Sequence, residues 1–474
     1  MRTGLVLSLC VLTGCSLAPR YQRPETPSAA VFKEAGNWQV AAPADTAPRG
    51  PWWEPFNDPT LNALQTSATE ANQNLKAAFA QLQMAHAQTR IAGAAYLPTI
   101  KAADGVTRKE VSTNSPSYSP LRPDTYNDLV AGGYFSYELD LFGRIRNTVA
   151  GARATEQATA GDVAYLELSV RAELTADYFS LRALDTAIAL WDQTVTHNTR
   201  ALALTQHLYQ AGAAMPSDVD QATTVLSVAQ TQAADVRLRR AQTEHAIAVL
   251  VGQSPSTFHL DPNPLTVGIA PSAPIVELPS TLLQRRPDIA AAERRVAAAN
   301  AGIGVARAAY FPVLNISASL GRESLLRSTL FETPSRFWSV QPQGVLTVFD
   351  GGLHRAQSAA AHAAFDEQVA QYRNTVLSAF QDVEDNLAAL HELELESDSA
   401  QAAANATQRA LNQANFRLKA GAASYLDVVA TENAALAAKL ALTNIEARRI
   451  NASILLIRSL GGDWINPAAA HTHP

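Results

Sequence analysis

Few residues in this chain are spaced for chemistry. There is no Gly-rich phosphate loop, no Gly-x-Ser-x-Gly and no Cys-x-x-Cys. His197 and His207 lie far apart on a predicted helix, and His471 and His473 sit in a Pro-ended tail. Two such histidines are a poor metal site, so neither a metal nor a cofactor is expected. Glu392, Glu394, Glu396 and Asp398 read as a solvated helix stretch. No enzyme is expected. What remains is Cys15 and a repeated acidic turn. In Ala211-Gly212-Ala213-Ala214 and Ala420-Gly421-Ala422-Ala423 the glycine precedes an aspartate by six residues, Asp218 and Asp427. Ser217 reads as a helix cap, and the two aspartates as first-turn residues favoured by the positive helix end.

Cys15 follows a charged start, a short apolar run from Leu5 to Leu12, and Thr13-Gly14. That order predicts a secretory signal over 1–14, too short to span a bilayer. Leu12-Thr13-Gly14-Cys15 resembles a bacterial lipobox, with Thr13 a tolerated departure. The resemblance implies cleavage before Cys15 and lipid on its thiol and amine. Ser16 in place of Asp implies sorting to the outer membrane. Cys10 leaves with the signal, so the mature chain has one cysteine and no internal disulfide. Residues 15–59 are Pro-rich and predict an extended arm, pinned to a folded body by Trp52 and Trp53.

The elements that must position these residues follow from composition and repetition. The chain has 474 residues, 47% hydrophobic and 17% charged, with a net charge of -6. Mean hydropathy is only -0.06, because much of the apolar content is alanine. This excludes a disordered chain and argues against nucleic acid as a partner. Ala-rich sequence suggests long, closely packed helices.

The chain is also duplicated. Ala94-Ala95-Tyr96-Leu97-Pro98 recurs as Ala308-Ala309-Tyr310-Phe311-Pro312, roughly 210 residues on, and the Gly212 and Gly421 turns keep the same order. Two repeats are expected, 60–270 and 271–465, with a flexible tail over 466–474. Each holds a helix, two strands and a long helical hairpin. Leu61, Leu64, Ala68, Ala71, Leu75, Phe79 and Leu82 predict one first helix with a coiled-coil seam. Its counterpart is expected over about 287–310. The long helices are expected from Arg144 to Gln210 and from His354 to Lys419, each about 100 Å long.

Strands are expected at about 98–111, 126–142, 312–322 and 336–349. Gly133, Phe135, Tyr137, Leu139 and Leu141 alternate with polar residues, as do Leu314, Ile316, Ala318 and Leu320. This alternation suits a transmembrane barrel, and equally a half-buried soluble sheet. Asp104 spoils the first strand, and Pro342 predicts a kink or bulge in the fourth. Open edges cannot face lipid and the smallest spanning barrels have about eight strands. Four strands per chain therefore demand that several chains share one barrel.

The stretch Leu282-Leu283-Gln284-Arg285-Arg286-Pro287-Asp288-Ile289, continuing through Gly304-Val305-Ala306-Arg307 to Tyr310-Phe311-Pro312, resembles the outer membrane factor family, TolC-like lipoprotein channels of efflux pumps. Trp52-Trp53 with Phe56-Asn57-Asp58-Pro59, Glu138-Leu139-Asp140-Leu141-Phe142-Gly143-Arg144 and Phe349-Asp350-Gly351-Gly352 also match. On its residues alone, Arg285-Arg286-Pro287-Asp288 reads as a helix start. The resemblance implies a mainly α fold with a β-barrel part: a homotrimer with a shared twelve-stranded barrel and a twelve-helix periplasmic tube. It implies a passive efflux channel fed by a periplasmic adaptor and an inner-membrane RND-type transporter. It places a periplasmic gate at Ser217, Asp218 and Asp427, and adaptor contacts at the Gly212 and Gly421 tips. Ala423 and Ala430 stand where some members carry charged gate residues. A type I protein-secretion channel and a pore-less structural lipoprotein are the alternatives.

Overall fold

Asp58 opens the helical part of the chain. Its carboxylate accepts from the Thr60 and Leu61 amides at 2.9 and 3.2 Å, and Pro59 occupies the first helical position. The computed structural model describes residues 16–26, 32–33, 51–116, 118–121, 123, 125–265, 285–423 and 425–462. The signal, Cys15 and the 466–474 tail lie outside them. The helices are α1 (Pro59–Ala71), α2 (Gln73–Ala94), α3 (Arg144–Gln210), α4 (Pro216–Leu250), α5 (Pro287–Ala308), α6 (Leu353–Lys419) and α7 (Tyr425–Ser459). The strands are β1 (Thr99–Glu110), β2 (Thr125–Leu139), β3 (Val313–Ser324) and β4 (Arg336–Val345).

The first helix is two helices, not one. Asn72 leaves the helical region (ψ 123°). Its Oδ1 accepts from Leu75 N and its Nδ2 donates to Leu250 O at 2.8 Å, so the break is capped and tied to the end of α4. Within the chain Leu61, Leu64, Ala68 and Leu75 of the seam are buried, Ala71 is half-buried and Phe79 is exposed.

Two compact units form, and neither is a sequence repeat. One takes Gln81–Ala160 and Ala291–Tyr372 with the arm up to Glu25. It holds a meander in the order β1-β2-β3-β4, all antiparallel. The arm is held by polar ties: Tyr21 donates to Glu293, Arg23 to Tyr372, and Asn300 to the Pro19 carbonyl at 2.9 Å.

The other unit takes Thr26–Ala80, Gly161–Ala290 and Arg373–Pro474. Its core joins Trp52, Trp53 and Phe56 to Leu61, Leu174, Ile247 and Ile454. The Tyr178 hydroxyl donates to Asp58 at 2.5 Å, and burial, then this bond, pushes its pKa up to about 12. Asp185 is almost fully buried and binds Arg182, Arg240 and the Asn263 amide, folding the chain after α4 back onto the hairpin.

Candidate channel: a one-sided sheet and the hairpin tips

Register decides what alternation alone could not. Ile100 pairs with Phe135, Phe135 with Ala318, and Ala318 with Val340. Val106 pairs with Leu129, Gly133 with Leu320, and Leu320 with Trp338. Side chains alternate with a period of two, so these pairings place all four apolar series on one face. On the other face Tyr134 pairs with Ser319 and Ser319 with Ser339, whose hydroxyls meet at 2.7 Å. Gln341 and Gln343 oppose Ser317 and Asn315 there.

The apolar face is open. Ile100, Leu320 and Trp338 are about 70% exposed or more. A face of this kind needs a solvent of its own, and the outward band of a membrane barrel is such a face. Asp104 sits on it, opposite Ala131. β1 and β4 are edge strands. Pro342 produces no bulge: the register from Val313↔Val345 to Arg322↔Arg336 passes straight through Ile316↔Pro342. The proline removes one N–H and leaves the neighbouring pairs with β3 intact. Gly321 is required, since a Cβ there would lie 2.5 Å from the Ala131 carbonyl; the Phe337 ring packs over it.

Two strands end sooner than expected, and each is followed by an aspartate that starts the next helix. Asp140 accepts from the Ile145 and Arg146 amides at 3.0 and 2.8 Å, which ends β2 and starts α3. β4 ends at Val345, and Asp350 accepts from Gly352 and His354 at 2.8 and 2.9 Å, which starts α6. Val348 and Phe349 are therefore about 90% exposed beyond the strand. Glu138 clamps Arg144 in a bidentate pair at 2.8 and 2.6 Å.

In the helical unit, α3 and α6 stop identically. Gly212 (φ +74°) donates to Tyr209 O and Ala213 to Leu208 O; Gly421 (φ +67°) donates to Leu418 O and Ala422 to Arg417 O. This pair of bonds closes a helix end when the next residue is left-handed, and glycine alone enters that region without strain. Met215, not Ser217, is the N-cap of α4. The Asp218 carboxylate accepts from Met215 N at 2.8 Å, and the Asp218 amide donates to Met215 O at 3.0 Å. Ser217 sits at the second helical position, exposed. Asp427 is exposed in the first turn of α7. A cavity of about 300 Å³ lies between α3 and α4, with Asp218 and Val429 of α7 both on its wall. Asp427 is not part of that wall, and no bond joins the two aspartates among the described residues. Ala423 is half-buried and Ala430 exposed. His197 on α3 pairs with Glu432 on α7.

Arg286 is more than part of a helix start. It is 3% exposed, binds Asp288 at 3.0 and 2.7 Å and Asp382 of α6 at 3.0 Å, and lies over the Tyr165 ring. Burial pulls its pKa down, but Asp288 and Asp382 outweigh it and hold the guanidinium firmly charged. Sequence could locate the helix start but not a partner 96 residues away.

No described helix is long and apolar enough to cross a membrane, and no described cluster of three or more His, Cys, Asp or Glu could hold a metal. The family model for outer membrane efflux proteins matches residues 64–253 and 278–462. This chain belongs to that family. It is 32% identical to the outer membrane protein OprJ of Pseudomonas aeruginosa, over 98% of this chain and 95% of that protein. It is 30% identical to the toluene efflux pump outer membrane protein TtgC of Pseudomonas putida, over 97% and 95%. The solved outer-membrane channel OprN superposes with a TM-score of 0.86 and 29% identity, covering 95% of this chain and all of that one. The protein is an outer-membrane efflux channel, with helices extending into the periplasm, and it carries no catalysis of its own.

Proposed function

We infer that three copies of the chain pool their sheets into one barrel of about twelve strands. The observation that carries this is the sheet itself: among the described residues it has four strands, one apolar face and two unpaired edges. An open edge is not tolerated in lipid, so the edges must pair with neighbouring copies. The channel is passive and draws its energy from an inner-membrane RND-type transporter, reached through a periplasmic adaptor that contacts the Gly212 and Gly421 tips. Its cargo is small organic molecules, as the toluene and antibiotic pumps among its relatives suggest. Cys15 is the lipid anchor.

Asp218, Asp427 and Ser217 form the periplasmic gate. Both carboxylates sit in the first turns of helices that open at the tips, and Asp218 also fixes its own turn. With Ala423 and Ala430 beside them, the gate relies on few charges. The test is single-channel recording in planar bilayers. Asp218→Ala with Asp427→Ala should raise conductance and lower cation selectivity. Unchanged traces would remove the gate, and absence of any conductance in the wild type would remove the channel. Site-directed crosslinking should capture the adaptor at the tips and not along mid-helix.

A further inference from the structure

We propose that the slot between α3 and α4 is a binding site for a linear monoamine with an apolar chain and an oxygen acceptor at its far end. The slot has about 300 Å³ of space, at the lower limit of ordinary small-molecule pockets. It is elongated: Asn198 and Leu208 both line it and lie ten residues apart on α3, about 15 Å along a helix. Between them Ala201, Ala222, Val225 and Val429 supply apolar wall, with two polar residues, Thr205, whose hydroxyl is spent on the Ala201 carbonyl, and Gln221.

The two ends are polar and different. Asn198 is only 4% exposed, yet among the described residues its amide nitrogen Nδ2 has no hydrogen-bond partner. A buried donor without an acceptor is costly, and an acceptor entering the slot would satisfy it. At the tip end Asp218 uses one carboxylate oxygen on the Met215 amide, and among the described residues the other is unbonded. Because Asp218 lines the slot, that oxygen offers an entering cation the opposite charge. The His197–Glu432 pair holds α7 against α3 beside Asn198, which keeps Val429 over the slot. The ligand class follows from the wall: cation, chain, acceptor, in that order from the tip.

The test is calorimetric titration of 10-aminodecan-1-ol into the full-length protein in nanodiscs, against empty nanodiscs. Decylamine lacks the acceptor and decan-1-ol lacks the cation. The expected result is one saturable site per chain, with each control about tenfold weaker or worse. Ala222→Leu, on the half-buried slot wall, should weaken 10-aminodecan-1-ol more than tenfold. Asn198→Leu should bring 10-aminodecan-1-ol down to the level of decylamine. Equal binding of all three probes, unaltered by Ala222→Leu, would mean lipid partitioning and overturn the site. Heat indistinguishable from empty nanodiscs would mean a slot that holds only water. Binding is read without conductance, so the site stands or falls independently of the gate.

Discussion

Arg286 joins three elements through one side chain: Asp288 at the start of α5, Asp382 on α6 and the Ser459 carbonyl at the end of α7. Removing it leaves two carboxylates facing a buried gap. Arg286→Ala should cost about 3 kcal/mol, while Arg286→Lys should recover part of that, seen as graded losses in thermal midpoint. Asp177 behaves oppositely. Burial, then Glu173 one turn earlier, raises its pKa from 3.8 to about 6. The folded state therefore holds this proton more tightly than the unfolded chain. The associated stability is full below about pH 4 and is lost as pH rises through 6. Asp177→Asn should flatten the pH dependence between 4 and 6 and raise stability at pH 7 by about 2 kcal/mol, after discounting for partial exposure. A thermal midpoint as pH-dependent in the variant as in the wild type would contradict this assignment.

Four helix ends, at Gly212, Gly252, Gly421 and Gly461, use the same left-handed closure. The surroundings separate them. A Cβ at Gly212 or Gly421 meets nothing within 4 Å, whereas at Gly252 it would lie 2.4 Å from the Ala71 carbonyl. Gly212→Ala should cost about 1 kcal/mol, the left-handed penalty alone. Gly252→Ala should cost clearly more, because backbone must also move; equal midpoint losses would show that the contact is not tight. The sheet permits a similar contrast between faces. Ala318→Arg, on the apolar face, should disfavour folding into vesicles by about 2–4 kcal/mol. Ser317→Arg, on the polar face, should be tolerated. Gel-shift assay of folded fraction reads both.

For the whole molecule, the exposed apolar face and the two free edges mean that one chain is not a finished structure. Its stability should be inseparable from assembly. Native mass measurement of the detergent-purified protein should give three chains, and dilution should yield unfolded rather than folded single chains. A folded monomer at high dilution would refute the shared barrel.

The sequence by itself determined the elements. Alanine-rich sequence between the strand motifs and the Gly212 and Gly421 turns located α3 and α6, and alternation located four strands, because periodicity and turn residues are local properties of the chain. Glycines before Asp218 and Asp427 marked the turns, since left-handed closure favours that residue type. What is set by distant partners was not legible. Asn72 breaks the first helix only because Leu250 offers its carbonyl. Ser217 yielded the cap to Met215 because Asp218 reaches back. Pro342 stayed in register because the pairs with β3 on either side of it hold without its missing N–H. Above all, four alternating strands say nothing about which faces coincide. Only the pairing of Ile100 with Phe135, Phe135 with Ala318 and Ala318 with Val340 put the apolar residues on one side. A shift of one residue in any pairing would have scattered them, and hydrogen-bond register is a tertiary decision.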